Sequence, residues 1–308
     1  MPPYRRSLLL GLSAGLLSPQ ATGQSDPPAS TPAKAAANAA QSAVRFPLAS
    51  DQADQRSVFT AQLLALALQL AGWQQPVRHI GGVNQARALV DLQQGALDVA
   101  VASDQEALPD NLLQVPFPVR QGLLGFRLLV TTPERVARLQ ETASLEQLRR
   151  NFTLGYGQDW RDLPRLQRLG FRIVTASTYR GMFAMLQAGR FDYLSRGVSE
   201  VLAELNNREL NPQARLVSVP GLALRYPLDD FFVVRPDGAH LRQAIVSGLQ
   251  TAIADGSYWR LFDAHYAQAL RFARLERRRM WHLTGYGHNP MIEQAQARLL
   301  KRWRTMKG

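Results

Sequence analysis

The side chains that would make this 308-residue chain an enzyme are sparse and scattered. There is no cysteine, so neither a thiol nucleophile nor a thiolate metal site can form. The five histidines, His79, His240, His265, His282 and His288, include no pair at the i, i+4 spacing that puts two imidazoles on one helix face for zinc. Ser195 sits in Tyr-Leu-Ser-Arg-Gly, without the first glycine of a nucleophile elbow. Gly155-Tyr-Gly-Gln follows an apolar run but lacks the third glycine and the lysine of a phosphate loop. No cofactor, metal or catalytic set is expected, and the chain reads as a non-enzyme.

The remaining candidates are polar side chains placed to hold a ligand. In open α/β sheets, ligands sit beyond the C-terminal ends of strands, where backbone groups and helix N-termini are free. That rule selects Ser50 and Asp51, Gly81 and Gly82, and Ser103 and Asp104 in the first half. In the second half it selects Gln158, Asp159 and Trp160, the run Ser177 to Arg180 with Tyr179, and Ser195 with Arg196. Arg196 is the leading candidate, because a guanidinium takes a carboxylate or phosphate in bidentate geometry. A salt bridge to Glu200, one helical turn on, competes evenly with that reading. Trp160 could stack on a ligand or pack on a lobe surface, and Tyr179 could donate its hydroxyl or join the core. Arg120 and Arg127 flank the turn Gly122 to Gly125, with one expected to face the cleft and the other solvent. Arg120, Arg180, Arg196 and Arg225 near loop ends tilt the expected ligand toward an anion.

The elements that must position these residues alternate between strand and helix. Strands are expected at 44–49, 77–80, 97–101, 152–156, 171–175, 191–194, 216–219 and 231–234. Helices are expected at 58–71, stopped by Gly72, from a cap at Asn84 to Gly95, at 162–169, from a cap at Thr178 to Gly189, and at 240–254. A last helix is expected at 258–266, and Ser144-Leu145-Glu146-Gln147 is a capping-box start. This order argues for α/β lobes with largely parallel sheets. Within it, residues 84–103 and 178–197 share one pattern of cap, apolar helix, glycine stop and strand. Leu92 and Leu186, Gln93 and Gln187, Gly95 and Gly189, and Asp98 and Asp192 are all 94 residues apart, which points to two lobes reusing one unit. Asp98 and Asp192 fall at strand starts, away from any ligand, and read as structural.

The chain ends carry a separate message. Arg5 and Arg6 precede a short apolar run that breaks at Pro19, and Ala21 and Gly23 are small, so residues 1–23 read as a cleavable signal peptide delivering the protein to the periplasm. The arginine pair fits either a general secretory or a twin-arginine signal. Residues 24–43 are rich in Ala, Pro, Ser and Gln, without an aromatic residue, and read as a flexible linker. The net charge of +12 is concentrated at the other end, where residues 271–308 hold ten Lys or Arg against two Glu. This basic C-terminal tail is expected to be solvated, with weak contact to anionic lipid as a second option. Nucleic acid is not expected as a partner for an exported chain.

The two helix-Gly-x-apolar-Asp units, the connecting Leu123-Leu124-Gly125-Phe126-Arg127-Leu128-Leu129-Val130, the Ser144 opening and the late Ala254-Asp255-Gly256-Ser257-Tyr258 together resemble the bacterial extracellular solute-binding proteins of the amino-acid-binding type (family 3), over residues 44–270. The resemblance implies an α/β, two-lobed periplasmic-binding-protein type II fold, with two doubly wound lobes and a hinge of two crossings. Lobe one would contain 44–130 plus 222–270, and lobe two 131–221, with crossings near 130 and 220. It also implies capture of a small solute between the lobes by a monomer, for an ABC-type transporter. A sensory binder for a membrane receptor and a periplasmic enzyme on the same fold are the alternatives. Such proteins usually carry a threonine and an arginine where this chain has Ser103-Asp104-Gln105-Glu106, and an aspartate where it has Ser195-Arg196-Gly197. These exchanged charges argue against an ordinary α-amino acid.

Overall fold

The computed structural model describes residues 43–48, 56–83, 85–103, 108–160 and 162–305. The expected signal peptide, all but the last residue of the linker, the cap Asn84 and the candidates Ser50, Asp51 and Asp104 lie outside them.

The first lobe begins with β1 (Val44–Pro47) and the parallel β2 (Val77–Ile80), joined through α1 (Arg56–Leu70). Leu63, Leu64, Ala67 and Leu68 of α1 are buried, and the helix stops where Gly72 takes φ +71°. After α2 (Gln85–Gln93) comes β3 (Val99–Ala102). β11 (Phe231–Val234) lies between β3 and β4 (Leu113–Gln114), antiparallel to both. α8 (Ala239–Ala254) crosses α1 so closely that a Cβ on Gly248 would sit 1.8 Å from the Ala67 carbonyl oxygen.

The second sheet is larger. Its order is β12 (Arg279–His282), β10 (Leu222–Arg225), β5 (Phe126–Thr131), β8 (Tyr193–Gly197), β6 (Thr153–Gly157) and β7 (Arg172–Ala176), with β9 (Val217–Ser218) also on β5. β8, β6 and β7 are parallel, while β5 runs antiparallel to β8 and β10. β5 is buried along its whole length, as the unbroken apolar run around Leu128-Leu129-Val130 requires. Its helices are α3 (Pro133–Gln140), α4 (Leu145–Asn151), α5 (Leu163–Arg168), α6 (Tyr179–Gln187) and α7 (Val198–Asn206). Because β5 and β10 already belong to this sheet, the chain crosses between sheets at 115–125 and 226–230 rather than near 130 and 220.

The repeated unit has the same geometry twice. Gly95 and Gly189 have φ +73° and +72°, and behind each a backbone amide closes the helix end: Ala96 to Asp91 O at 2.8 Å and Arg190 to Met185 O at 3.0 Å. Asp98 donates its amide to Arg45 O (3.0 Å) while its carboxylate accepts the Arg45 amide (2.8 Å). Asp192 treats Thr153 identically, at 2.9 and 2.6 Å. Each aspartate therefore fastens the start of its own strand to the neighbouring strand.

The carboxyl end departs from expectation. The helix predicted at 258–266 as the last one is α9 (Ser257–Ala273), and it is followed by β12 and α10 (Pro290–Thr305). Residues 275–305 are not a solvated tail. Ile292, Ala295, Leu299 and Trp303 recur at helical spacing and are buried, as are Leu283 and Tyr286. The Arg278 guanidinium donates to the carbonyls of Ala273, Val219 and Leu222 (2.6, 2.6 and 3.0 Å), so part of the charge is structural. Among the described residues no helix is long and apolar enough to cross a membrane.

Candidate functional site

A cavity of about 680 Å³ lies between the two sheets. Phe46 to Leu48 of β1, Ser57 and Thr60 of α1, Val101 and Ser103 line one side. Tyr156 to Trp160, Ser177 to Arg180 and Arg196 line the other, and Arg120, Leu124, Arg127, Leu228 and Asp230 close it at the crossings. Of the residues the strand-end rule selects, Ser103, Asp159, Trp160, Tyr179 and Arg196 line one space, and Arg120, expected from its place beside the Gly122–Gly125 turn, joins them.

Their bonding changes their chemistry. Arg196 is only 1% exposed. Its Nε donates to both Glu204 carboxylate oxygens (3.0 and 2.9 Å), and its Nη2 reaches Glu204 at 2.5 Å and Glu200 at 3.2 Å. Its guanidinium lies 5.0 Å from the Trp160 ring centroid and 5.8 Å from that of Tyr179, whose hydroxyl donates to Glu204 (2.6 Å). Burial works against the charge, but Glu200 and Glu204 overcome it and hold the guanidinium well above its usual pKa. The salt-bridge reading of Arg196 thus prevails, with Glu204 as the stronger partner. Glu204 was not legible as a site residue, although it lies two turns along the same face.

The other arginines are committed in the same way. Arg120 and Arg127 are both buried, so neither faces solvent. Arg120 pairs with Asp230, which also accepts the Ser103 hydroxyl, and its Nε donates to Tyr266 Oη at 3.1 Å. Arg127 donates to Ser195 O (2.6 Å) and Leu124 O (3.0 Å) and faces Glu200 at 3.5 Å. Arg180 pairs with Glu209 at 2.5 Å. Arg225 lies outside the cavity lining and accepts no carboxylate; its Nε donates to Gln296 at 3.0 Å. Arg120, Arg180 and Arg196, three of the four arginines that favoured an anionic ligand, are therefore already paired with carboxylates.

Ser195 is not brought into the cavity. Side chains alternate along β8, so the residue before Arg196 faces the opposite side of the sheet, with Tyr193. Trp160 lies edge-on to Tyr156 at 4.5 Å, in a space left by Gly157, where a Cβ would come within 2.8 Å of the indole. Buried Asp162 accepts from the hydroxyls of Tyr156 (2.7 and 2.8 Å) and Tyr286 (2.8 Å). Exposed Asp159 is different: among the described lining residues, it is the one charged side chain without an ion pair or hydrogen bond.

No family model matches the chain, and no curated protein does. Solved structures do. A histidine kinase sensor domain with similarity to periplasmic binding proteins is 19% identical, with a TM-score of 0.54, covering 72% of this chain and 95% of its own. The VFT2 domain of Bordetella pertussis BvgS (a double mutant) is 16% identical, with a TM-score of 0.54, covering 78% of this chain and 100% of its own. An ancestral arginine-binding protein bound to arginine is 18% identical, with a TM-score of 0.56, covering 73% and 98%. The chain has the two-lobed α/β fold of periplasmic binding proteins. The first of these three structures is a sensor domain and the third an arginine-binding protein.

Proposed function

We propose that the chain is an extracytoplasmic solute-binding protein of the amino-acid-binding type, which captures a small polar solute between its lobes. The observation that carries this reading is the cleft itself, an interlobe cavity of about 680 Å³ with polar groups converging from both sheets. The signal-peptide pattern at residues 1–23 supports delivery to the periplasm. Trp160, Tyr179, Asp159 and Ser103 are the proposed ligand contacts, with Arg120 and Arg196 as the charged walls that orient them. The partner in the membrane is an ABC-type transporter. A receptor is the second reading, favoured by the histidine kinase sensor domain among the similar structures.

The charge of the cavity favours a solute bearing a cationic group over an anion. Arg120, Arg127, Arg180 and Arg196 each face a carboxylate, whereas no cationic group among the described residues pairs with the Asp159 carboxylate. A buried guanidinium that already has two carboxylates gains little from a third, while an unpaired carboxylate beside an indole suits an ammonium or guanidinium. Thermal-shift measurements with agmatine, L-arginine and L-glutamate test this. The cations are expected to raise the melting temperature, and Trp160→Ala to weaken their binding about fivefold, in line with ~1 kcal/mol for an aromatic contact. Stabilisation by glutamate alone would overturn the charge assignment, and no response to any polar solute would overturn the binding function.

A further inference from the structure

The two crossings between the lobes are fastened to each other and to the carboxyl-terminal segment. Asp229, fully buried on the second crossing, accepts the amides of Arg120 (3.0 Å) and Gly122 on the first. Val119 donates to Asp230 O (2.8 Å), and Tyr226 to Gly125 O (3.1 Å). Gln296 of α10, 1% exposed, enters the same place. Its Nε2 donates to Gly122 O (3.1 Å) on one crossing and to Tyr226 O (2.9 Å) on the other, and its Oε1 accepts from Arg225 Nε (3.0 Å). The crossing backbone is shaped around it. A Cβ on Gly122 would lie 2.3 Å from Gln296 Cγ, and one on Gly125 would lie 2.5 Å from Gln296 Nε2.

The segment that carries Gln296 is anchored on both sides. Toward the larger sheet, β12 pairs with β10, and Tyr286 donates to Asp162 in the cavity wall at 2.8 Å. Toward the first lobe, Arg302 pairs with Asp263 of α9 at 2.5 Å and lies 4.6 Å from the Trp259 ring. We propose that residues 279–305 form a strap that fixes the angle between the lobes, with Gln296 as its pin and positioning residue. The helix that carries Gln296 is held to both crossings beside the larger sheet and, through Arg302, to α9 of the first lobe, so a rotation of one lobe against the other must break one of these contacts. A buried carbonyl left without its donor is costly, so the strap favours a single interlobe angle before any ligand arrives. The solute then meets a cleft already set, with little of its binding free energy spent on closure.

The absence of cysteine allows a direct test. Nitroxide labels at Gln94→Cys and Gln167→Cys, both exposed and on opposite sides of the cleft, report the interlobe distance by pulsed electron resonance. The otherwise unaltered protein, without added solute, is expected to give one narrow distance distribution. Gln296→Met, which keeps the volume and removes the amide, is expected to add a second population at longer distance. Gln296→Asn, with the amide withdrawn by one methylene, is expected to fall between the two. A broad or bimodal distribution in the parent overturns the proposal without any variant. A folded Gln296→Met protein with the parent's distribution overturns it equally.

Discussion

The guanidinium of Arg196 touches two carboxylates and two aromatic rings, all supplied by its own chain. Removing one partner of such a buried cluster leaves charge uncompensated, at a cost of about 3–5 kcal/mol. Glu204→Ala is expected to lower stability by that order in urea unfolding, and a loss within the range of an ordinary surface substitution would contradict the assignment. Asp229 gives a pH test. Burial pushes its carboxyl up to about 7, against the Gly122 and Arg120 amides and the Arg120 charge, which favour ionisation. A folded pKa raised above the ordinary carboxylate value means that folding favours the protonated acid. Its contribution to stability is complete below the unfolded value, shrinks as pH rises, and is lost above about 7. Asp229→Asn is expected to flatten the pH dependence of the melting temperature across that window, and an undiminished slope would contradict this. The sequence pointed to Arg196 and Glu200 by their i, i+4 spacing, although Arg196 lies in strand β8 and Glu200 in the first turn of α7. Trp160 and Tyr179 were legible only as separate strand-end residues; no spacing shows that they enclose the same guanidinium.

The helix-Gly-Asp unit was the most legible element, since its glycine stop and strand-start aspartate are local features. Both glycines take positive φ, and both aspartates fasten a neighbouring strand. Asp98→Ala and Asp192→Ala should therefore both lower stability, by about 1.5–3 kcal/mol for a charged acceptor lost from a backbone amide, with Asp98→Ala the costlier because its carboxylate also pairs with the Arg45 guanidinium at 2.7 Å. Urea unfolding of the two variants checks this, and a loss confined to one of them would break the equivalence. The carboxyl-terminal elements were less legible because ten cationic side chains obscured an apolar stripe of Ile292, Ala295, Leu299 and Trp303. The stripe is regular at helical spacing, but its stability comes from packing partners distant in the sequence. Gln296 carries no local signal at all: a buried glutamine in an exposed-looking amphipathic helix becomes intelligible only beside Gly122 and Tyr226.

At the scale of the molecule, two lobes built on three sheets, and a strap, enclose a polar cavity. The two lobes were readable from the duplicated unit, whereas the crossings were displaced because β5 and β10 join the larger sheet. The proposed preference for a cationic solute reverses the expectation from the sequence for a physical reason: a sequence displays the arginines, but only the fold shows which carboxylates face them. The central claim is that this cavity holds one small solute. Native mass spectrometry of the purified protein after exposure to agmatine or L-arginine tests it most directly, alongside Ser177→Trp, which places an indole in the cleft. The account predicts a single bound solute per parent chain and none in folded Ser177→Trp. Absence of any adduct on the parent, or an adduct that persists undiminished in the filled variant, would contradict it.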